Sequence, residues 1–266
     1  MHGQVGALLK PKAAFSPLGL PGLKLWLAGN RSALTLNAGN ISQWNDVSGN
    51  GNHAIQGTAT QQPAYLANAV GGLPGADFAG DNLDGLNVAA AATVNNLWAG
   101  GGYLAVVFNP DQIKSPDDWE RLLTKNNSTN DGWDIYLSNA LSGAGMLTFF
   151  QTFSTTGGQW ETTTPRRPIV AGQANLLEVS YDSGSVANDP AIRVNGALIS
   201  LAEVATPVGA ALNDSANVLR IGRDWSGGRD LDGKVAEVAI YSSVPSAAER
   251  MTLRNHLAAK YGITLT

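Results

Sequence analysis

The groups that could carry catalysis in this 266-residue chain are few and scattered. There is no cysteine, which removes disulfides and thiolate metal sites. The histidines, His2, His53 and His256, show no metal-ligand spacing. No G-x-S-x-G elbow presents a serine for acyl transfer. Glycoside cleavage needs two carboxylates flanking the scissile bond, and on a sandwich fold the pattern to look for is E-x-D-x-x-E along one strand. The six glutamates (Glu120, Glu161, Glu178, Glu203, Glu237 and Glu249) never form it. Asp118 and Glu120 stand close, but Trp119-Glu120-Arg121 reads as a strand start with surface ion pairs. Two glycine motifs approach nucleotide sites. Gly228 to Lys234 fits G-x-x-x-x-G-K, yet Val235 stands where Ser or Thr must hold magnesium, and a strand follows. Gly49-Asn50-Gly51-Asn52 follows a polar stretch instead of a buried strand. Both read as turns, and the chain reads as a non-enzyme.

The elements around these groups are mainly β. Leu23–Leu27 alternates apolar and polar residues, and Tyr103–Phe108 is continuously apolar. Further runs are Trp133–Leu137, Met146–Phe150, Leu176–Tyr181, Ala191–Val194, Val218–Ile221 and Lys234–Tyr241. Asn195-Gly196 marks a hairpin, because these residues accept the positive φ of a tight turn. One helix closes the chain over about 246–261. Ser246 and Glu249 form a capping box, and Leu253, Leu257 and Tyr261 make its apolar stripe. Arg250, Arg254 and Lys260 are expected on its solvated face. Residues 1–22 carry Pro11, Pro17 and Pro21 and no strand or helix period, so they read as an extended arm. Its apolar residues Leu8, Leu9, Phe15, Leu18 and Leu20 suit docking on the same chain's body or on a neighbouring subunit. The fold class is all-β, a two-sheet antiparallel sandwich over 23–266.

Only 14% of residues are charged, the net charge is −4, and no basic run exceeds Arg166-Arg167. Nucleic acid binding needs clustered Lys and Arg, so it is set aside. No apolar run approaches the ~18 residues of a membrane span. The first ten residues lack the basic start and apolar centre of a secretion signal.

Three segments resemble the concanavalin A-like lectin/glucanase superfamily, in its laminin G-like, pentraxin-like branch. They are Trp44-Asn45-Asp46-Val47-Ser48-Gly49-Asn50-Gly51-Asn52-His53-Ala54; Ile192-Arg193-Val194-Asn195-Gly196; and Leu219-Arg220-Ile221-Gly222 with Leu231 to Tyr241 and Ser246 to Glu249. The resemblance implies a two-sheet jelly roll with Trp44 plugging the edge of the core. It also implies calcium as a cofactor, for which Asp46, Asn50, Asn52, Asp232 and Glu237 could supply oxygens; the same residues suit turns and caps. Sugar binding in such domains uses aromatic platforms. Trp133, Trp160 and Trp225 lie beside polar turns and suit either that role or the core.

The reading that follows is a non-enzymatic structural or adhesion protein at a virion surface, such as a phage head-decoration, head-fibre or tail component. The arm would bind capsid or tail proteins and the jelly roll would meet cell-surface glycans. A free, calcium-dependent bacterial lectin, at the cell surface or outside it, is the alternative, and a glycan-cleaving enzyme ranks third. Homo-oligomer formation is left open.

Overall fold

The computed structural model describes residues 15–80, 83–90, 93–114, 119–127, 131–141 and 144–266. Its strands form two antiparallel layers. In the first, the long strand Asp232–Tyr241 pairs with Gly102–Pro110 on one side, and with Leu73–Ala79 and Leu23–Leu27 on the other. Gly102–Pro110 then pairs with Asn175–Tyr181, and that with Ala191–Val194. The second layer runs Leu86–Val88, Leu219–Ile221, Glu120–Lys125, Trp133–Leu141, Ala144–Gln151, Gly158–Thr164 and Ser200–Ala205. This is the expected all-β sandwich with one C-terminal helix.

Strand alternation builds two cores. Leu104, Val106, Phe108, Leu177, Val179, Val238 and Ile240 of the first layer meet Leu123, Ile135, Leu137, Leu147, Phe149 and Trp160 of the second. Trp44 joins them, fully buried, with its Nε1 donating to the Ala28 carbonyl at 3.0 Å. The intervening residues of the first layer, Tyr103, Ala105, Val107, Leu176, Ala236 and Ala239, face away, onto the C-terminal helix. The central strand is therefore apolar on both faces, which is why Tyr103–Phe108 reads as an unbroken apolar run.

The helix spans Ala247–Tyr261 with its capping box formed, and Gly262 ends it at φ 66°. Leu253, Leu257 and Tyr261 are buried on the sheet. Each buried Leu contributes about 1.5–3 kcal/mol. Gly71, at φ 58°, lets the helix end sit close; a Cβ there would lie 2.3 Å from the Tyr261 carbonyl oxygen. The expected solvated face needs correction. Arg254 reaches down to the buried Glu178 (Nε to Oε2, 2.5 Å) and Lys260 to the buried Glu237 (2.5 Å). Their long stems let both cations cross the apolar stripe's edge and neutralise carboxylates on the sheet.

The Asn195-Gly196 hairpin is present, with φ of 50° and 90° and Val194 paired to Ala197. Of the arm residues, Leu8 and Leu9 lie outside the described residues. Phe15 packs edge-on against His256 at 5.1 Å between ring centroids, Leu20 is buried in the helix-side core, and Leu18 is exposed. Residues 15–22 thus dock on the chain's own body. Glu120 and Arg121 also differ from expectation: both are buried, not surface, residues.

Candidate functional site

On Trp133–Leu141, the residues Trp133, Ile135 and Leu137 turn into the core, so Asp134, Tyr136 and Ser138 turn outward. Register extends this outward face sideways. One row runs Thr124, Asp134, Phe150, Gln159; the next runs Arg121, Tyr136, Thr148, Glu161. Residues of these rows floor an open cleft of about 460 Å³. Trp119, just before the Glu120–Lys125 strand, and the loop Asp224–Arg229, after Leu219–Ile221, also line it, as does Arg166.

The seven tryptophans sort sharply. Trp44, Trp98, Trp133 and Trp160 are 0–1% exposed. Trp26 is half-buried. Trp119 and Trp225 are 38% and 43% exposed, and both line this one cleft. Trp225 was a candidate from the sequence. Trp133 and Trp160 were too, and the structure corrects them. Trp133 shares the core face with Ile135 and Leu137 and meets Trp98 edge-on at 5.4 Å. Trp160 is registered opposite Phe149, packs on Tyr181 at 5.3 Å, and donates from Nε1 to Asp189 at 2.7 Å. Neither offers a face to a ligand.

The floor carries charge in a semi-dry setting. Asp134 is 2% exposed; it accepts from Thr124 Oγ1 and, at 2.8 Å, from Asn126 Nδ2, with an Arg121 nitrogen 3.6 Å away. Burial pushes its carboxyl above the ordinary value, and Arg121 opposes the shift. The Arg121 guanidinium lies over the Tyr136 ring at 4.3 Å and donates to the Trp119 carbonyl at 3.1 Å. Burial raises the Tyr136 phenol to about 12. Asp224 accepts from Ser226 Oγ (2.9 Å) and the Gly227 amide (2.6 Å), so its carboxylate shapes the loop that presents Trp225. Glu161 accepts from Gln159 at 2.9 Å. Arg229 stacks over Trp119 at 4.4 Å. The cleft therefore offers two exposed indole faces above hydrogen-bonding groups, with its carboxylates already accepting from neighbours.

The five calcium candidates are not brought together. Asp46, Asn50 and Asn52 share one loop, where Gly49 and Gly51 take φ of 91° and 75°. The Asp46 carboxylate accepts from the amides of Trp26, Ser48 and Asn52, each at 2.9 Å. Asn50 and Asn52 donate to the carbonyls of Leu23 (3.1 Å) and Lys24 (2.7 Å). Glu237 accepts from Trp26 Nε1, Lys260 and Tyr261 (2.5–2.7 Å). Asp232 lies five residues away on the same strand, roughly 16 Å along it. Among the described residues no three His, Asp or Glu side chains are grouped for a metal ion.

A cation of another kind sits at the end of the Glu120–Lys125 strand. The Lys125 ammonium is fully buried and donates to Asn95 Oδ1 (3.1 Å) and to the carbonyls of Asp214 (2.7 Å) and Asn217 (2.8 Å), with Asp214 Oδ1 at 3.2 Å. Burial lowers its pKa, and the Asp214 carboxylate opposes the shift. It ties two loops to a strand whose next residue, Asn126, lines the cleft.

The family described as Laminin_G_3, concanavalin A-like lectin/glucanases superfamily, matches residues 104–249, more than half of the chain. The chain belongs to this superfamily. Among solved structures, the lectin-like fold seen here is similar to the binding domain of Paraclostridial Mosquitocidal Protein 1, at 12% identity and TM-score 0.62, covering 91% of this chain and 53% of that one. It is also similar to Domain 4 of AbnA, a GH43 extracellular arabinanase from Geobacillus stearothermophilus in complex with arabinotriose, at 16% identity and TM-score 0.53, covering 88% and 98%. A third is the Ruminococcus gnavus IT-sialidase CBM40 bound to alpha2,3 sialyllactose, at 15% identity and TM-score 0.50, covering 68% and 96%. The chain spans about half the length of the first of these. At such identities the likeness is one of fold. No curated protein sequence matches the chain.

Proposed function

We propose that this chain is a non-catalytic glycan-binding domain and that its ligand lies in the cleft between Trp119 and Trp225. One observation carries the reading: the two exposed tryptophans of the described chain line the same polar-floored cleft. Flat indole faces stack on the apolar faces of sugar rings, and neighbouring polar groups take the hydroxyls. Domains of similar fold with sugars bound support it. The carboxylates of the cleft are engaged in holding the floor and the Asp224 loop, so they serve as structure, not as acid and nucleophile.

A glycan array, followed by calorimetry on the strongest ligand, tests this. Trp225→Ala and Trp119→Ala should each weaken binding at least about 10-fold. Failure of every glycan to bind, with or without calcium, retires the reading. New reducing ends released from a bound polysaccharide would retire the non-catalytic part. The finer form of the proposal is an adhesin borne on a virus particle, with residues 1–14 making the attachment. Particle binding by a chain lacking those residues would end it.

A further inference from the structure

Resting on the glycan-binding reading, the geometry points to a glycan that carries a carboxylate, taken by arginine. The whole chain is acidic at −4, yet three arginines and no lysine line the cleft. The three acidic residues of the cleft are accounted for. Asp134 accepts from Thr124 and Asn126, Asp224 from its own loop, and Glu161 from Gln159. The arginines are not matched in the same way. Arg166 is exposed, and its guanidinium has no partner among the described residues. Arg229 lies over the Trp119 ring without a carboxylate partner among the described residues. Arg121, 6% exposed in the floor of the cleft, lies 3.6 Å from Asp134 and donates to the Trp119 carbonyl, but its Nε has no acceptor among the described residues. A buried donor without a partner is costly and uncommon in native structures. Among the charged groups of this cleft the unmatched hydrogen-bonding capacity is therefore donor capacity, carried by planar guanidinium groups, beside one unpartnered neutral acceptor, Asn126 Oδ1. Guanidinium forks match carboxylates in two-point contacts and stack on rings, as Arg121 and Arg229 do here. A sugar acid would place its ring on Trp119 or Trp225 and its carboxylate on Arg229 and Arg166.

The test compares matched pairs by calorimetry on the full chain: 3′-sialyllactose against lactose, and oligogalacturonate against oligogalactose. In at least one pair the acidic member should bind about 10- to 100-fold tighter, the effect of one to two charge-assisted bonds, with the preference shrinking at high salt. Arg229→Gln should remove most of the preference, read as the ratio of acidic to neutral affinity within each pair. Arg166→Gln, at an exposed site that does not endanger folding, should lower it in the same direction. Equal affinity within both pairs overturns the inference and leaves the glycan-binding reading standing. No binding of any glycan overturns both. Equal displacement by a sulfated disaccharide overturns the carboxylate in favour of any anion.

Discussion

Each sheet of the sandwich has an outer face, and the chain treats the two in opposite ways. The outer face of the first layer is Tyr103, Ala105, Val107, Leu176, Ala236 and Ala239, and the C-terminal helix lies over it. The outer face of the second layer carries Asp134, Tyr136, Ser138, Gln159 and Glu161 beside Met146 and Phe150, and among the described residues no helix covers it; it floors the cleft. An apolar face has to be covered, because leaving it wet forfeits the hydrophobic term. A polar face can stay uncovered, and its groups remain available to a ligand. Charge is handled differently too. Glu178 and Glu237 are matched at once by Arg254 and Lys260 from the helix, whereas Arg166 and Arg229 in the cleft have no carboxylate partner among the described residues.

If this division holds, substitutions on one face should move stability and those on the other should move binding. The largest effect is expected for Leu257→Ala, which removes a buried contact of the helix: a loss of about 2–5 kcal/mol in chemical denaturation, with glycan affinity of the folded fraction unchanged. A loss below about 1 kcal/mol would show that the helix is dispensable and break the comparison.

Next comes Glu120, at a junction of the two layers. It is 1% exposed and accepts from the amides of Lys114 (3.0 Å) and Asp232 (3.2 Å), and burial raises its carboxyl from 4.5 to about 7. Between those values the folded chain keeps a proton that the unfolded chain has released. The contribution of Glu120 is therefore full below about pH 4.5 and falls as pH rises to about 7, by up to roughly 3 kcal/mol. Glu120→Gln should flatten that part of the stability profile; an unchanged profile would assign the pH dependence elsewhere.

Trp225→Ala should cost about 10-fold in glycan affinity, yet change stability by no more than about 0.5 kcal/mol, since the side chain is 43% exposed. A large drop in Tm would make Trp225 a structural residue. The smallest effect is expected at Leu18, which is 56% exposed on the arm: Leu18→Ser should shift stability by less than about 0.5 kcal/mol and leave binding alone.

These expectations also show what could be read from residue order. The strands, the Asn195-Gly196 turn and the capped helix are local signals, written in alternation, turn residues and Ser246/Glu249, and each is found where it was expected. The floor of the cleft is legible by the same rule. With Ile135 and Leu137 apolar, Trp133 shares their phase and must be core, and Asp134 and Tyr136 must face out. The partnership of Trp119 with Arg229, or of Glu178 with Arg254, joins positions 110 and 76 residues apart. Nothing local specifies such pairs; they follow from which strands the topology sets side by side.

Lys125 carries a consequence of its own. Its ammonium holds four oxygens from the segments around Asn95, Asp214 and Asn217 as a bound ion would. A bound ion has a dissociation constant, and the loops it organises loosen when its supply falls or a chelator arrives. A charge delivered on a side chain has no such constant; it is present as soon as the strand is in place, so the hold of Lys125 on these loops does not depend on the supply of a free ion.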